Sequence, residues 1–171
     1  MVALDWTRVA EMLPAERQQA LLAELDLVMA SPLESDEEDR RLRQFPEPLR
    51  ALWLVNWLDY EVAQGSLLAY FYNSHGRFAD ETTDLLRRIG ADEMADVMEQ
   101  ASATIEPAPD ESADGADRQQ EYSTRLGHSS SPGADQMDSF TDRYWIAAEN
   151  DGWGDKLDAY IAAQVEALAD A

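Results

Sequence analysis

Residues 47–72 read Glu47-Pro48-Leu49-Arg50-Ala51-Leu52-Trp53-Leu54-Val55-Asn56-Trp57-Leu58-Asp59-Tyr60-Glu61-Val62-Ala63-Gln64-Gly65-Ser66-Leu67-Leu68-Ala69-Tyr70-Phe71-Tyr72, and this stretch decides the fold class. Apolar side chains recur at three- and four-residue spacing and never settle into period-two alternation, so the stretch reads as helix. Leu49, Leu52, Trp53, Trp57 and Tyr60 fall on one side, and Leu54, Val55 and Leu58 fill another. A helix apolar nearly all round is expected to lie buried. Glu47–Pro48 marks its start, because proline's missing N–H costs nothing in a first helical turn. Gly65 breaks it. A short aromatic helix begins at Leu67 and closes at Asn73-Ser74-His75-Gly76.

The same spacing continues in both directions. Upstream, Pro14 opens a helix carrying Leu21, Leu22, Leu25, Val28 and Met29 on one face, with Ser31–Pro32 as its stop. Downstream, Asp80 to Ile89 and Asp92 to Ile105 form two helices, with Gly90 as the left-handed residue between them. Residues 106–115 are rich in Pro, Asp and Ser, and residues 127–135 repeat that character; both are expected to be surface loops. A short helix, Ala116 to Leu126, fits between them. Gln136 to Glu149 and Asp155 to Leu168 are the remaining helices, the last with Leu157, Tyr160, Ile161, Val165 and Leu168 on one face. The expected fold is all-α, a single compact multi-helix domain over residues 1–171 with an acidic C-terminal half. The segment beyond the first loop is about as short as the smallest domains that fold alone, which favours one domain.

Composition narrows the function classes. The 171 residues are 45% hydrophobic, enough for a packed core. Without cysteine there is no disulfide framework, thiolate metal site or cysteine nucleophile, and only His75 and His128 offer imidazole chemistry. Each of these reads as a surface polar residue. There is no HExxH pair, GxSxG elbow or glycine-rich phosphate loop, so no enzymatic activity, cofactor or metal is expected. The net charge of −22 repels nucleic acid and anionic membranes and favours a cationic partner. Met1–Leu13 has no basic n-region and no stretch is apolar enough to span a bilayer, so the expectation is a cytoplasmic protein.

Two constellations compete with that view. Asp110-Glu-Ser-Ala-Asp114-Gly115-Ala-Asp117-Arg118-Gln-Gln-Glu121 places oxygens at positions 1, 3, 5 and 12 of a calcium loop and glycine at 6. Against calcium, Asp117 occupies an ordinarily apolar position and Pro107 and Pro109 break the entering helix. A solvated acidic loop is the simpler reading, with calcium binding as the alternative. The other constellation is Tyr60, Glu61, Asn73 and His75, the groups that a helical pocket would offer an enzyme.

The charge itself is unevenly placed. Up to Gly90 the chain has 16 acidic and 9 basic residues; beyond it, 19 and 4. If the second half is helical, Asp92, Asp96, Glu99 and Glu106 share a face, as do Asp110, Asp114, Asp117 and Glu121, and then Asp135, Asp138, Asp142 and Glu149. Asp151, Asp155 and Asp158 continue the acidic character. A chain of this length folds to a diameter of about 40 Å, and duplex DNA of that length carries about 24 phosphates. The two charges are of the same order. Four residues of helix rise about 6 Å, close to the spacing of phosphates along a strand.

The stretch Leu58-Asp59-Tyr60-Glu61-Val62-Ala63-Gln64-Gly65, continuing through Tyr70-Phe71-Tyr72-Asn73-Ser74-His75-Gly76 to Glu81 and Ile89-Gly90-Ala91, resembles a family of acidic bacterial DNA-mimic proteins, first catalogued as a helical domain of unknown function. The motif covers about residues 49–105. Where the family's turn reads Asn-Gly-Gly, this chain has Gln64-Gly65-Ser66, a change that should leave the fold intact. The resemblance implies an all-helical homodimer whose carboxylates imitate duplex phosphates and occupy the DNA-binding face of a transcription factor. It also implies packing and turn-forming roles for Tyr60, Glu61, Gln64, Gly65, Tyr70, Phe71, Asn73, Ser74, Gly76 and Gly90. The phosphate-mimicking candidates are then the carboxylates of the three rows together with Asp151, Asp155 and Asp158. An immunity-type inhibitor of a basic toxin or nuclease is the alternative for the same charge.

Overall fold

The computed structural model describes residues 4–29, 40–74, 76–104 and 132–171, without the side chains of residues 28, 29 and 132–135. Among the described residues every regular element is a helix, as the periodicity predicts: α1 (Trp6–Ala10), α2 (Pro14–Met29), α3 (Glu47–Gln64), α4 (Leu67–Ser74), α5 (Ala79–Ile89), α6 (Asp92–Ala103), α7 (Pro132–Asp151) and α8 (Trp153–Ala169). None of these helices is long and apolar enough to cross a membrane. The chain forms two compact units, Met1–Leu54 with Gly154–Ala171, and Val55–Trp153.

In the first unit α1 and α2 pack as a pair held by Arg17. Its buried guanidinium donates to the carbonyls of Val9, Ala10 and Met12 at 3.4, 3.2 and 3.2 Å. A cation at the C-terminal end of α1 satisfies carbonyls that have no partner within the helix and opposes the negative end of its dipole. Leu21 and Leu25 of α2 are buried, as their spacing predicts. In α8, Leu157, Ile161 and Val165 form the buried stripe, and the Tyr160 hydroxyl donates to Glu47 at 2.6 Å.

The helix over 47–64 is buried through Leu49, Leu52, Trp53, Leu54, Val55, Leu58 and Val62. Tyr60 departs from the expected pattern and is 58% exposed. Its neighbours on the inner faces already fill the space, and the phenol tolerates water.

The second unit is built from the end of α3 and from α4 to α7, with contacts between α5 and α6, α6 and α7, and α4 and α7. Gly90 sits at φ 81° and closes α5, its N–H and that of Ala91 returning to the last carbonyls of the helix. That backbone conformation favours glycine over any residue with a Cβ. The expected loop over 127–135 is corrected in its last part: residues 132–135 are the first turn of α7. Pro132 is therefore a helix opener, a role proline fills as well as it ends helices. Residues 106–115, 116–126 and 127–131 lie outside the described residues.

Gly65 is required by a close approach between α3 and α4. A Cβ there would stand 2.7 Å from the Cβ of Ala69. Gly65→Ala is expected to destabilise the protein by about 1–3 kcal/mol, as overpacking of a rigid site does, measured by urea unfolding; an unchanged midpoint would refute this account of the turn.

Candidate functional site

The motif residues build a scaffold. Glu61 is buried at the end of α3 and accepts a hydrogen bond from Asn73 Nδ2 at 2.6 Å, tying the last turn of α3 to that of α4 across the Gly65 turn. Ser66 accepts from the Ala69 N–H at 3.4 Å and so caps α4. Tyr70 and Phe71 are buried edge to face, and the Tyr70 hydroxyl is hydrogen-bonded to Thr82 at 3.1 Å. The Ser74 hydroxyl donates to the Tyr70 carbonyl at 2.6 Å and accepts from Gly76 N–H at 3.2 Å. Gln64 and Tyr60 are exposed. Of the enzyme-like constellation, Tyr60, Glu61 and Asn73 are among the described residues. Glu61 and Asn73 are spent on each other, and His75, like His128, lies outside the described residues.

Helix α7 orients the unit. Met137, Phe140, Tyr144 and Ala147 are buried at intervals of three and four residues, which fixes which side of the helix faces inward. Two polar side chains near that side reach the starts of other helices. Thr141 Oγ1 accepts from the Leu67 N–H at 3.0 Å, at the start of α4, while donating to the Met137 carbonyl. Asp151 Oδ2 accepts from the Met94 N–H at 2.9 Å, in the first turn of α6. Ala91 makes no side-chain cap there, so the cap comes from a residue 57 positions away. Tyr144 stands 3.5 Å from Asp59. Burial raises the pKa of the Asp59 carboxyl above its ordinary 3.8, opposed by that contact. Burial, with the Asp59 charge, pushes the Tyr144 hydroxyl up as well.

The predicted carboxylates divide into distinct groups. Asp92, Asp96 and Glu99 are exposed along α6, but Arg87 reaches back from α5 over all three. Its guanidinium bonds Asp96, lies 3.0 Å from Glu99 and 3.8 Å from Asp92, and donates to the Asp92 carbonyl at 3.2 Å. The Asp96 hydrogen bond, then Glu99, raise the pKa of Arg87 further. This row is thus partly neutralised by a cation from before Gly90.

On α7, Asp138, Asp142 and Glu149 are exposed on the side opposite the buried stripe. Asp135 lies in the first turn of the same helix. Arg143 is committed to Gln100 at 3.0 Å and stacks over Phe140 at 5.1 Å. Asp151, half-buried and capping α6, has one carboxylate oxygen engaged by the Met94 N–H. Asp155 and Asp158 lie on α8 in the other unit. Asp110, Asp114, Asp117 and Glu121 lie outside the described residues, and with them the calcium-loop candidate. Among the described residues no group of three His, Asp or Glu side chains is arranged to hold a metal.

Three contributors to this surface are not among the expected residues. Trp145 and Ile146, 44% and 61% exposed, sit among the carboxylates of α7. Arg87 is the third. The Met137–Phe140–Tyr144–Ala147 spacing, read alone, would have placed Trp145 and Ile146 outside.

A unit whose described elements are all helices, with exposed carboxylates along α6 and α7, defines an acidic α-helical protein. Residues 43–164 match the DMP19-like protein family, and the chain belongs to it. The match extends from the 49–105 motif into α8. No curated protein and no solved structure matches the chain.

Asp151→Ala is expected to cost about 1 kcal/mol, the usual cost of a lost cap, while Asp142→Ala stays within about 0.5 kcal/mol of the parent. Chemical unfolding of both variants decides, and equal effects would remove the capping role of Asp151. For Asp59 the sign comes from its raised pKa. Its neutral form favours folding below pH 3.8, and that contribution is lost as pH rises through the folded-state value. Asp59→Asn is therefore expected to raise the melting temperature more at pH 7 than at pH 4. A gain independent of pH would contradict this.

Proposed function

We propose that the chain is a non-enzymatic DNA mimic. Its carboxylate-rich surface occupies the DNA-binding face of a basic DNA-binding protein such as a transcription factor, in the cytoplasm and as a homodimer. The observation that carries this reading is the exposed row Asp138, Asp142 and Glu149 on α7, beside the acidic helix α6, in a chain of the DMP19-like family. Asp138 and Asp142 are separated by about 6 Å of helix rise and Asp142 and Glu149 by about 10 Å. Those separations suit cationic side chains that otherwise meet successive phosphates. The resemblance of the 49–105 motif to acidic DNA-mimic proteins supports the same reading. A homodimer would concentrate a charge that one chain spreads over its whole surface.

Binding of this kind weakens with salt, because charge steers and holds the partner. The test captures partners from lysate with the tagged chain, in low and high salt, with duplex DNA as competitor. DNA-binding proteins displaced by DNA are the expected catch; capture that DNA leaves intact would defeat the mimicry. Neutralising Asp138, Asp142 and Glu149 together is expected to weaken capture on the order of tenfold. Neutralising the exposed Glu11, Asp26 and Glu166 should do much less, and equal losses would reduce the effect to net charge.

A further inference from the structure

The acidic row of α7 has a gap. Between Asp142 and Glu149 no acid intervenes, and at that level Ile146 is exposed and Trp145, its ring edge-on to Tyr144, is partly so. At about 100° per residue, Trp145 and Ile146 lie on either flank of the line through Asp138, Asp142 and Glu149. Ile146 also borders a groove between α6 and α7, lined by Val97 and Ala147, with Glu93, Asp96 and Arg143 alongside. Large apolar side chains at the centre of a charged face have no use in imitating phosphates. Where they are rimmed by polar groups, they mark a contact that excludes water.

We propose that this face docks a cationic amphipathic helix of the partner protein. In that arrangement two Arg or Lys residues one heptad apart meet Asp142 and Glu149. An apolar residue three or four positions after the first of them packs against Ile146 at the edge of the groove, with Trp145 flanking it from the other side of the row. The inference rests on the mimic reading and specifies how the same surface selects among basic partners. Charge argues for this occupant. A second copy on the same face would set the Asp138, Asp142 and Glu149 row against acidic residues. Residues 105–131 of the chain carry six acids against two arginines, a charge that does not complement the row.

The test uses the full chain and two synthetic helical peptides of equal charge, with arginines at i and i+7 and either leucine or alanine at i+3 and i+4. Titration calorimetry is expected to give about tenfold tighter binding of the leucine peptide, the scale of one apolar anchor. Trp145→Ser with Ile146→Ser should abolish that difference and leave the alanine peptide unchanged. Asp142→Asn with Glu149→Gln should weaken both peptides. Both apolar side chains are exposed, and an unchanged circular dichroism melt of the serine variant, or of Ile146→Asn alone, verifies the fold. Equal binding of the two peptides would overturn the docking proposal and leave the charge-based mimicry standing. So would failure of both to bind, with capture from lysate then deciding the mimicry separately. Sedimentation showing a dimer that the serine variant dissolves would assign the face to a second copy and overturn the proposal too.

Discussion

The second unit depends on α7 lending oxygen atoms to the open ends of other helices. The first N–H groups of a helix have no partner within it, and burying them unpaired costs about as much as a lost hydrogen bond. Leu67 finds its acceptor in Thr141 and Met94 in Asp151, about 15 Å apart along α7 by its rise per residue. Those two contacts, together with the buried stripe Met137 to Ala147, fix both the rotation of α7 and its position along its own axis. A slip of one turn would unpair both caps at once.

That constraint also places the charge. With the inner side of α7 determined by its caps and apolar stripe, Asp138, Asp142 and Glu149 have only the opposite side available, about half a turn away. Their exposure is thus a consequence of how the interior is built. The acids of α6 are treated differently. Arg87 stands one turn before the Gly90 reversal, and the antiparallel return of α6 brings Asp92, Asp96 and Glu99 under its guanidinium. One cation shared by three carboxylates leaves the row negative but reduces its mutual repulsion. The two neighbouring helices therefore present anionic faces of different strength.

Features encoded by local chemistry were legible from the chain. Pro14, Glu47–Pro48, Gly65 and Gly90 mark boundaries because each acts within a few residues of itself, and the observed helices begin or end there. The buried set of the 47–64 helix comes from its period, except where an all-round apolar helix gives no sign of which edge meets water, as at Tyr60. Pro132 opens a helix where the surrounding serines suggested a loop, since proline signals both. What could not be read was distant pairing. Asp151 looks like any other acid until the chain brings Met94 to it, and Arg87 looks like a partner for its own helix until α6 folds back. Of the surface, the exposed acids of α6 and α7 were predicted, but not which of them the fold itself consumes.

A row of carboxylates attracts every cation in proportion to its charge, so charge supplies encounter rate and reach more than choice. Choice among basic partners needs groups on the same face that are not acids, placed where only some partners have a complement. In the proposed complex those groups on α7 would be Trp145 and Ile146 at the break in the row, with Arg143 held by Gln100 at the neighbouring edge. Removing Trp145 and Ile146 would leave the net charge of −22 untouched. In the proposed complex, the charge of the α7 row and the choice of partner would rest on different residues of one helix, so that each could be altered without the other.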